Sequence, residues 1–192
     1  KYGKNWITLI SASKAFSFPG PRCAIAIISP YINEKKYSNL KKFCDREQFG
    51  HAFSLGGLYV TTSGASHTAQ YGLAKMLEAA TSGEFNFIDI TSEYGRRAEK
   101  VKEIFLRYGF EQVYKKDMDE NVGNGFYLTM SYPGYVGNDL MLELLRYGIS
   151  TITLKSTGSV RHEGLRICIS FIGLEEMPLL EKKLHKFMED HK

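Results

Sequence analysis

Residues 11–22 hold the side chains with the clearest chemical potential. Ser11 lies three residues before Lys14, and Arg22 follows that lysine by eight residues. A lysine amine held on a fixed backbone can form a Schiff base with a carbonyl group. A serine hydroxyl and an arginine guanidinium suit a phosphate monoester, because the guanidinium binds it through two parallel hydrogen bonds. The Pro-Gly-Pro turn at 19–21 allows Arg22 to fold back toward the same phosphate.

Arg166 is a second side chain whose position suits ligand binding. It lies at the start of an apolar, β-branched run and directly behind a loop that contains Gly164. The planar fork of arginine matches the two oxygens of a carboxylate, whereas lysine offers only a point charge. The residues alone leave two interpretations open for Arg166. It is either a carboxylate anchor or a strand-end arginine paired with a surface acid.

Alternating strand and helix patterns must position these groups. Residues 6–11 are β-branched and apolar, and residues 23–29 form the continuous apolar run typical of a strand covered on both faces. The loop that carries Lys14 joins these two strands. Further along, the patterns predict strands at 126–131, 150–154 and 165–171, and helices from Ser66 to Gly83 and at 85–108, 139–147 and 177–190.

Two other segments have weaker patterns. Residues 34–47 are charged and predict a helix, and residues 56–62 predict a short strand or an extended loop. The long helix at 85–108 is where the chain could divide into two lobes, near residue 85. Strands separated by helices predict an α/β or α+β layered fold.

The composition excludes several functional classes. The formal charge is +4, and the 25 Lys and Arg are interleaved with 21 Asp and Glu. This pattern is typical of solvent-exposed helix faces and not of a basic groove that binds nucleic acid. The odd number and wide spacing of Cys23, Cys44 and Cys168 indicate reduced thiols. No apolar run is long enough for a transmembrane helix, and the five histidines show no metal-ligand spacing. We therefore expect a cytoplasmic protein with no nucleic-acid, membrane or metal partner.

Residues 11–22 resemble the lysine signature of class I/II aminotransferases, a Ser-x-x-Lys followed by an aromatic residue, a Pro-Gly turn and an Arg. The resemblance implies that Lys14 is the catalytic lysine and binds pyridoxal 5′-phosphate covalently. It implies that Ser11 and Arg22 bind the phosphate of this cofactor. These enzymes also carry an Arg in an Arg-[Ile/Leu]-x-[apolar]-Ser context near the C-terminus, which implies that Arg166 holds the substrate α-carboxylate.

The resemblance covers the whole chain and implies its organisation. Residues 1–85 would be the end of the large domain of a fold-type I transferase, and residues 86–192 its small α+β domain. Family members carry further cofactor-binding residues upstream, including an Asp on the pyridine nitrogen, and none of these can be placed here. We therefore expect a C-terminal half, inactive alone, of an enzyme that moves an amino group between an amino acid and a 2-oxo acid. The intact enzyme would be a homodimer.

Two alternatives stay open. The same fold and cofactor also support a carbon–sulfur lyase or a decarboxylase, and the chain could instead be the non-catalytic, effector-like half of a regulator.

A match to the motif of another enzyme family is rejected. Ser11-x-x-Lys14 also fits the nucleophile motif of serine β-lactamases, but that family begins a long helix at its serine, and Pro19 and Gly20 would break such a helix.

Overall fold

The first two apolar runs of the sequence pair with each other. In the computed structural model, which describes residues 3–123 and 125–192, β1 (Ile7–Ser11) and β2 (Ala24–Ile28) form a two-stranded antiparallel sheet with Ser11 opposite Ala24. The sheet belongs to the first of two compact units. Unit 1 ends at Phe87, and unit 2 begins at Ile88.

The expectation that residues 23–29 are covered on both faces is wrong for the described chain. The β2 strand forms as predicted, but Ile27 is 45% exposed, and Leu9 on the paired strand is 72% exposed. The physical reason is that β1 and β2 have only each other as strand partners among the described residues. A run of apolar residues predicts a strand well, but it does not supply the layers that cover it.

Short helical segments follow β2. Their bounds are α2 (Pro30–Glu34), a 3-10 turn (Ser38–Leu40), α3 (Lys41–Cys44), α4 (Phe49–His51), a π-helix (Ala52–Tyr59), α5 (Val60–Thr62) and α6 (His67–Ser82). The single helix predicted at 34–47 is wrong. Lys36 instead forms an antiparallel bridge with Gln48, and the amide of Phe49 donates to the carbonyl of Lys35 at 2.9 Å. Pairing with a distant segment therefore holds this stretch extended and divides the helix.

The strand or loop predicted at 56–62 is also wrong, because this segment is helical from Ala52 to Thr62. The hydroxyls of Thr61 and Thr62 donate to the carbonyls of Gly57 and Leu58, each at 2.7 Å, as helix-facing hydroxyls do. The glycine at position 56 serves close packing and not a turn. A Cβ there would lie 2.4 Å from the Cβ of Cys44.

The helix predicted between Ser66 and Gly83 is confirmed as α6. Ser66 occupies the N-cap position, and Gly83 ends the helix with a φ of 85°. Apolar side chains on one side of this helix face inward, with Leu73 buried and Leu77 half-buried. Glycine tolerates this left-handed conformation without steric cost, which explains why the helix ends there.

The strands of unit 2 are β3 (Glu111–Gln112), β4 (Lys116–Asp117), β5 (Glu120–Asn121), β6 (Tyr127–Ser131), β7 (Ile152–Thr153) and β8 (Leu165–Cys168). Four of them form an antiparallel sheet with the order β3-β6-β8-β7. The helices are α7 (Phe87–Arg107), which begins at the last residue of unit 1, α8 (Gly137–Arg146) and α9 (Met177–Asp190), with 3-10 turns at Lys155–Thr157 and Leu174–Glu176. The predicted strands and helices of this unit are confirmed, although the strands predicted at 150–154 and 165–171 are shorter in the structure, and β3 and the β4–β5 hairpin were not predicted.

The alternation of side chains along β6 and β8 separates the sheet into two faces. Leu128 and Met130 on β6, and Leu165 and Ile167 on β8, are buried in the core of unit 2. The helices contribute further core residues, among them Ala98, Val101, Ile104, Phe105, Leu140, Leu144, Leu180, Leu184 and Phe187. Successive side chains of a strand point to opposite faces. The residues between them, including Arg166, therefore stand on the face away from this core.

Candidate functional site

The start of the lysine loop is fixed by backbone hydrogen bonds. The β1 strand ends at Ser11, whose Oγ accepts a hydrogen bond from the amide of Ser13 at 3.3 Å and caps the one-turn helix α1 (Ala12–Ala15). The amide of Ala12 donates to the carbonyl of Cys23 at 3.1 Å, and the amide of Phe18 donates to the carbonyl of Ala12 at 3.0 Å. The segment before Lys14 is therefore bonded both to β2 and to its own loop.

A small apolar cluster anchors the same loop to α6. Ala12 is fully buried with Cys23, Ala69 and Leu73, and Phe18 packs against them. A Cβ at Gly72 would approach Phe18 to 3.2 Å, so the glycine permits this close contact between loop and helix. Cys23, which follows Arg22 directly, therefore fills a buried position in this cluster.

Lys14 lies on α1, one residue after Ser13, and its side chain is exposed in unit 1. Arg22 returns to the same end of the loop in a left-handed backbone conformation, with a φ of 56°. Its Nη1 donates to the carbonyl of Pro19 at 2.8 Å and lies 3.4 Å from the Oγ of Ser13. The Arg22 guanidinium therefore lies beside the hydroxyl of Ser13, the residue that precedes Lys14.

Sequence reasoning assigned Ser11 to the phosphate and overlooked Ser13. In the structure, Ser13 is the serine that contacts the Arg22 guanidinium, while the Oγ of Ser11 accepts the capping hydrogen bond. The signal available in the sequence was the Ser-x-Ser-Lys spacing, which places a hydroxyl directly beside the lysine. The hydroxyl hydrogen of Ser11 is still a donor, since its oxygen acts as the acceptor of the cap.

The donor set of this loop fits a phosphate monoester. Arg22 brings a guanidinium, which binds phosphate oxygens through parallel N–H groups. Ser11 and Ser13 bring hydroxyl donors, and no acidic residue lies between positions 11 and 22 to repel an anion. Lys14 adds a primary amine that can condense with an aldehyde. The loop can therefore hold a phosphorylated aldehyde cofactor such as pyridoxal 5′-phosphate.

Arg166, the predicted carboxylate anchor, lies in unit 2 on β8. Its Cα pairs with that of Thr129 on β6 and with that of Ile152 on β7, so the residue lies on an inner strand of the sheet. Its side chain is half-buried, and its Cζ lies 4.4 Å from the centroid of the Tyr127 ring. Within residues 3–123 and 125–192, Arg166 has no ion pair with a carboxylate. The interpretation as a strand-end arginine paired with a surface acid therefore has no support in the described structure.

Histidine, cysteine and acidic side chains are the candidate ligands for a metal ion. The part of the chain that the structure describes contains no group of three His, Cys, Asp or Glu side chains that could hold a metal ion. The cysteine thiols are free, with Cys23 buried, Cys44 half-buried and Cys168 exposed. Among the described helices, none combines the length and the apolar character that a bilayer crossing requires.

Several solved structures with a similar fold are aminotransferases. The chain aligns with the aromatic aminotransferase of Pyrococcus horikoshii at a TM-score of 0.70 and 15% identity, over 96% of this chain and 43% of that one. With an aspartate aminotransferase of Thermus thermophilus the TM-score is 0.66 and the identity 18%, over 95% and 42% of the two chains. An α-aminoadipate aminotransferase from the same organism, solved with N-(5′-phosphopyridoxyl)-L-leucine, gives 0.66 and 16%, over 96% and 42%.

The chain thus spans about two-fifths of the length of these structures. No protein-family model matches the sequence, and no curated protein matches it. The predicted α/β fold class is confirmed by the structural matches. The chain therefore has the fold of the C-terminal part of a fold-type I aminotransferase.

Proposed function

We propose that this chain supplies the lysine loop and the substrate-binding arginine of a pyridoxal-phosphate-dependent aminotransferase. Residues 1–85 would then be the end of the cofactor-binding large domain, and residues 86–192 the small domain. The observation that carries the proposal is the geometry of residues 11–22, where the Arg22 Nη1 reaches to 3.4 Å from the Ser13 hydroxyl, next to Lys14. The aminotransferase fold of the whole chain supports the same function.

Each residue of the loop has a separate task. Arg22, Ser11 and Ser13 would bind the phosphate of the cofactor and so fix the position of its aldehyde group. Lys14 would hold the cofactor through its Nζ. The cofactor, when bound, would supply the electron sink that stabilises negative charge at the substrate Cα. The Lys14 amine would also serve as the acid–base group that takes the proton from the substrate Cα.

Arg166 has the task of orienting the substrate. Its guanidinium fork offers two parallel donors to the α-carboxylate, which fixes the substrate at two points rather than one. Orientation of this kind would contribute to catalysis, because a substrate that is held in one geometry loses less entropy on the way to the transition state. The substrates of the whole protein would be an amino acid and a 2-oxo acid.

Reductive trapping tests the role of Lys14 on the chain itself. The purified chain is incubated with pyridoxal 5′-phosphate, reduced with borohydride and digested for peptide mass spectrometry. We expect the label on Lys14 and its loss in Lys14→Ala. The matched control is Lys75→Ala, which removes an exposed lysine of the same unit that pairs with Glu78 at 2.5 Å. Labelling that is spread equally over surface lysines would contradict the proposal.

The type of reaction is tested on the whole protein that carries this chain. An amino-acid donor should convert the bound cofactor to its pyridoxamine form and release the matching 2-oxo acid. Production of pyruvate and ammonia without the pyridoxamine form would instead establish a lyase. In both cases Lys14→Ala should abolish turnover, so the two results separate the reaction type from the role of the lysine.

A further inference from the structure

Tyr127 covers the guanidinium group of Arg166. The Cζ of Arg166 lies over the Tyr127 ring, at 4.4 Å from its centroid. A cation within about 6 Å of an aromatic centroid is attracted by the negative face of the ring. The contact is therefore close enough to restrain the arginine side chain.

The strand register explains how the two side chains meet. Thr129 is directly opposite Arg166, and Tyr127 is directly opposite Cys168. Tyr127 and Arg166 are thus diagonal neighbours on the same face of the sheet, a separation that aromatic and long side chains bridge. Leu128 on the other face is buried in the core and holds the strand that presents the ring.

The contact with Tyr127 leaves hydrogen-bond donors of the arginine for a ligand. The Cζ of Arg166 lies over the face of the Tyr127 ring, and the guanidinium carries five N–H donors. A single ring contact therefore does not use all the donors that a bidentate carboxylate requires. Among the described residues, Arg166 has no ion pair with a carboxylate that would use them instead.

We propose that Tyr127 is a positioning residue, which holds the Arg166 fork in the orientation that receives the substrate carboxylate. The proposal rests on the proposed function of Arg166. A long arginine side chain loses rotational freedom when it binds a carboxylate, and a ring that has already restricted it lowers that loss. The benefit belongs to substrate binding and not to the proton transfer at Lys14, so the two kinetic parameters should respond differently.

The first test is spectroscopic and needs neither cofactor nor activity. In ¹H–¹⁵N spectra of the chain, the Nε–H resonance of Arg166 is identified by its disappearance in Arg166→Lys. The ring above the guanidinium should shift this resonance upfield in the wild type and in Tyr127→Phe. The shift should disappear in Tyr127→Leu. The control is Phe171→Leu, which removes a 92% exposed aromatic side chain of the same unit and should leave the resonance unchanged.

The second test measures steady-state kinetics in the whole protein. Tyr127→Leu should raise the KM for the amino-acid donor about three- to tenfold, with kcat nearly unchanged. Tyr127→Phe keeps the ring and should restore the wild-type KM, which a role of the phenol hydroxyl would not allow. A merely structural role of Tyr127 would lower thermal stability and kcat together and would not be rescued in this way.

The two proposals fail in different ways. If Arg166→Lys leaves the KM for the donor unchanged, the role assigned to Arg166 is wrong, and the positioning role is overturned with it. If Arg166→Lys raises that KM while Tyr127→Leu behaves as the wild type, only the positioning role is overturned. If Tyr127→Leu loses the upfield shift of the Arg166 resonance and also raises the KM for the donor without changing kcat, the result supports both the role of Arg166 and the positioning role of Tyr127.

Discussion

The side chain of Arg22 bends back over its own loop, so that its Nη1 lies 3.4 Å from the hydroxyl of Ser13, the residue before Lys14. The left-handed backbone of Arg22 makes this return possible. Residues other than glycine adopt this backbone conformation at a steric cost. The loop accepts this cost at the residue that the proposed function assigns to the phosphate.

The first prediction concerns this arginine. Arg22→Lys keeps the positive charge but loses the planar fork, so the affinity for pyridoxal 5′-phosphate should fall by roughly tenfold. The measurement is a fluorescence titration of the chain with the cofactor. Arg46→Lys, at an exposed position of the same unit, is the matched control and should bind as the wild type does. Equal affinities of the two variants would exclude Arg22 from the phosphate site.

The second prediction concerns the substrate anchor. Arg166→Lys should raise the KM of the whole protein for its amino-acid donor by about tenfold or more, because a point charge replaces two parallel hydrogen bonds. Arg146→Lys, on the exposed side of α8, should leave the KM unchanged. A similar effect of both substitutions would indicate general electrostatic attraction and not a specific carboxylate site.

The third prediction compares two glycines whose replacement by alanine should change the stability in opposite directions. A Cβ at Gly137 would lie 2.7 Å from the carbonyl oxygen of His162, so Gly137→Ala should destabilise unit 2 by about 1–3 kcal/mol. Gly95 lies within α7 and a Cβ there meets nothing within 4 Å, so Gly95→Ala should stabilise the helix by about 0.5–1 kcal/mol. Urea denaturation measures both. If both substitutions changed the free energy of unfolding in the same direction, the packing described around Gly137 would be contradicted.

The fourth prediction concerns the aromatic core of unit 2. The ring of Phe187 is fully buried, and its centroid lies 5.0 Å from that of Tyr132 and 5.4 Å from that of Tyr147. Phe187→Ala should lower the free energy of unfolding by about 3–5 kcal/mol, because the cavity cannot close against a rigid cluster of rings. Phe171→Ala, at a position that is 92% exposed, should change it little. Chemical denaturation followed by circular dichroism makes the comparison.

The fifth prediction follows from a tyrosine–carboxylate pair. The Tyr147 hydroxyl donates to Asp190 Oδ2 at 2.8 Å, and this hydrogen bond, followed by that from Lys186, holds the pKa of Asp190 below its ordinary value. A carboxyl of this kind stabilises the fold above its unfolded pKa, near 3.9, and the contribution is lost as the pH falls through the lower, folded value. The melting temperature of Tyr147→Phe should therefore be lower than that of the wild type at pH 7, and the difference should shrink below about pH 4.

The same pair responds at alkaline pH with the opposite sign. Burial, and then the hydrogen bond to Asp190, raise the pKa of Tyr147 from 10 to about 12. The stabilisation is present below pH 10 and is lost as the pH rises through about 12, a loss that Tyr147→Phe cannot show. Tyr114→Phe is the control, since the Tyr114 hydroxyl contacts the uncharged Ser159 hydroxyl at 2.6 Å. At acid pH, the role of Asp190 would be contradicted if the difference in melting temperature between Tyr147→Phe and the wild type stayed constant as the pH falls.

The sequence by itself determined most elements of unit 2 and the order of the chemical groups. The 3.6-residue period of α7 and the alternation along β6 are local properties, because one apolar face must be buried whatever covers it. The Ser-x-x-Lys and the strand-start arginine were likewise readable, since each requires particular residue types at fixed spacing. These features do not depend on which distant segments meet.

Only the tertiary structure decided the features that depend on distant contacts. The bridge between Lys36 and Gln48 divided a segment whose charge pattern predicts one helix. The contact of Gly56 with Cys44 made a glycine pair part of a π-helix instead of an extended loop. In the lysine loop, the backbone conformation of Arg22 places its guanidinium next to the hydroxyl of Ser13 and not that of Ser11. The register of β6 and β8 placed Tyr127 over Arg166. Spacing along the chain fixes which groups are present, whereas loop closure and strand register fix which of them touch.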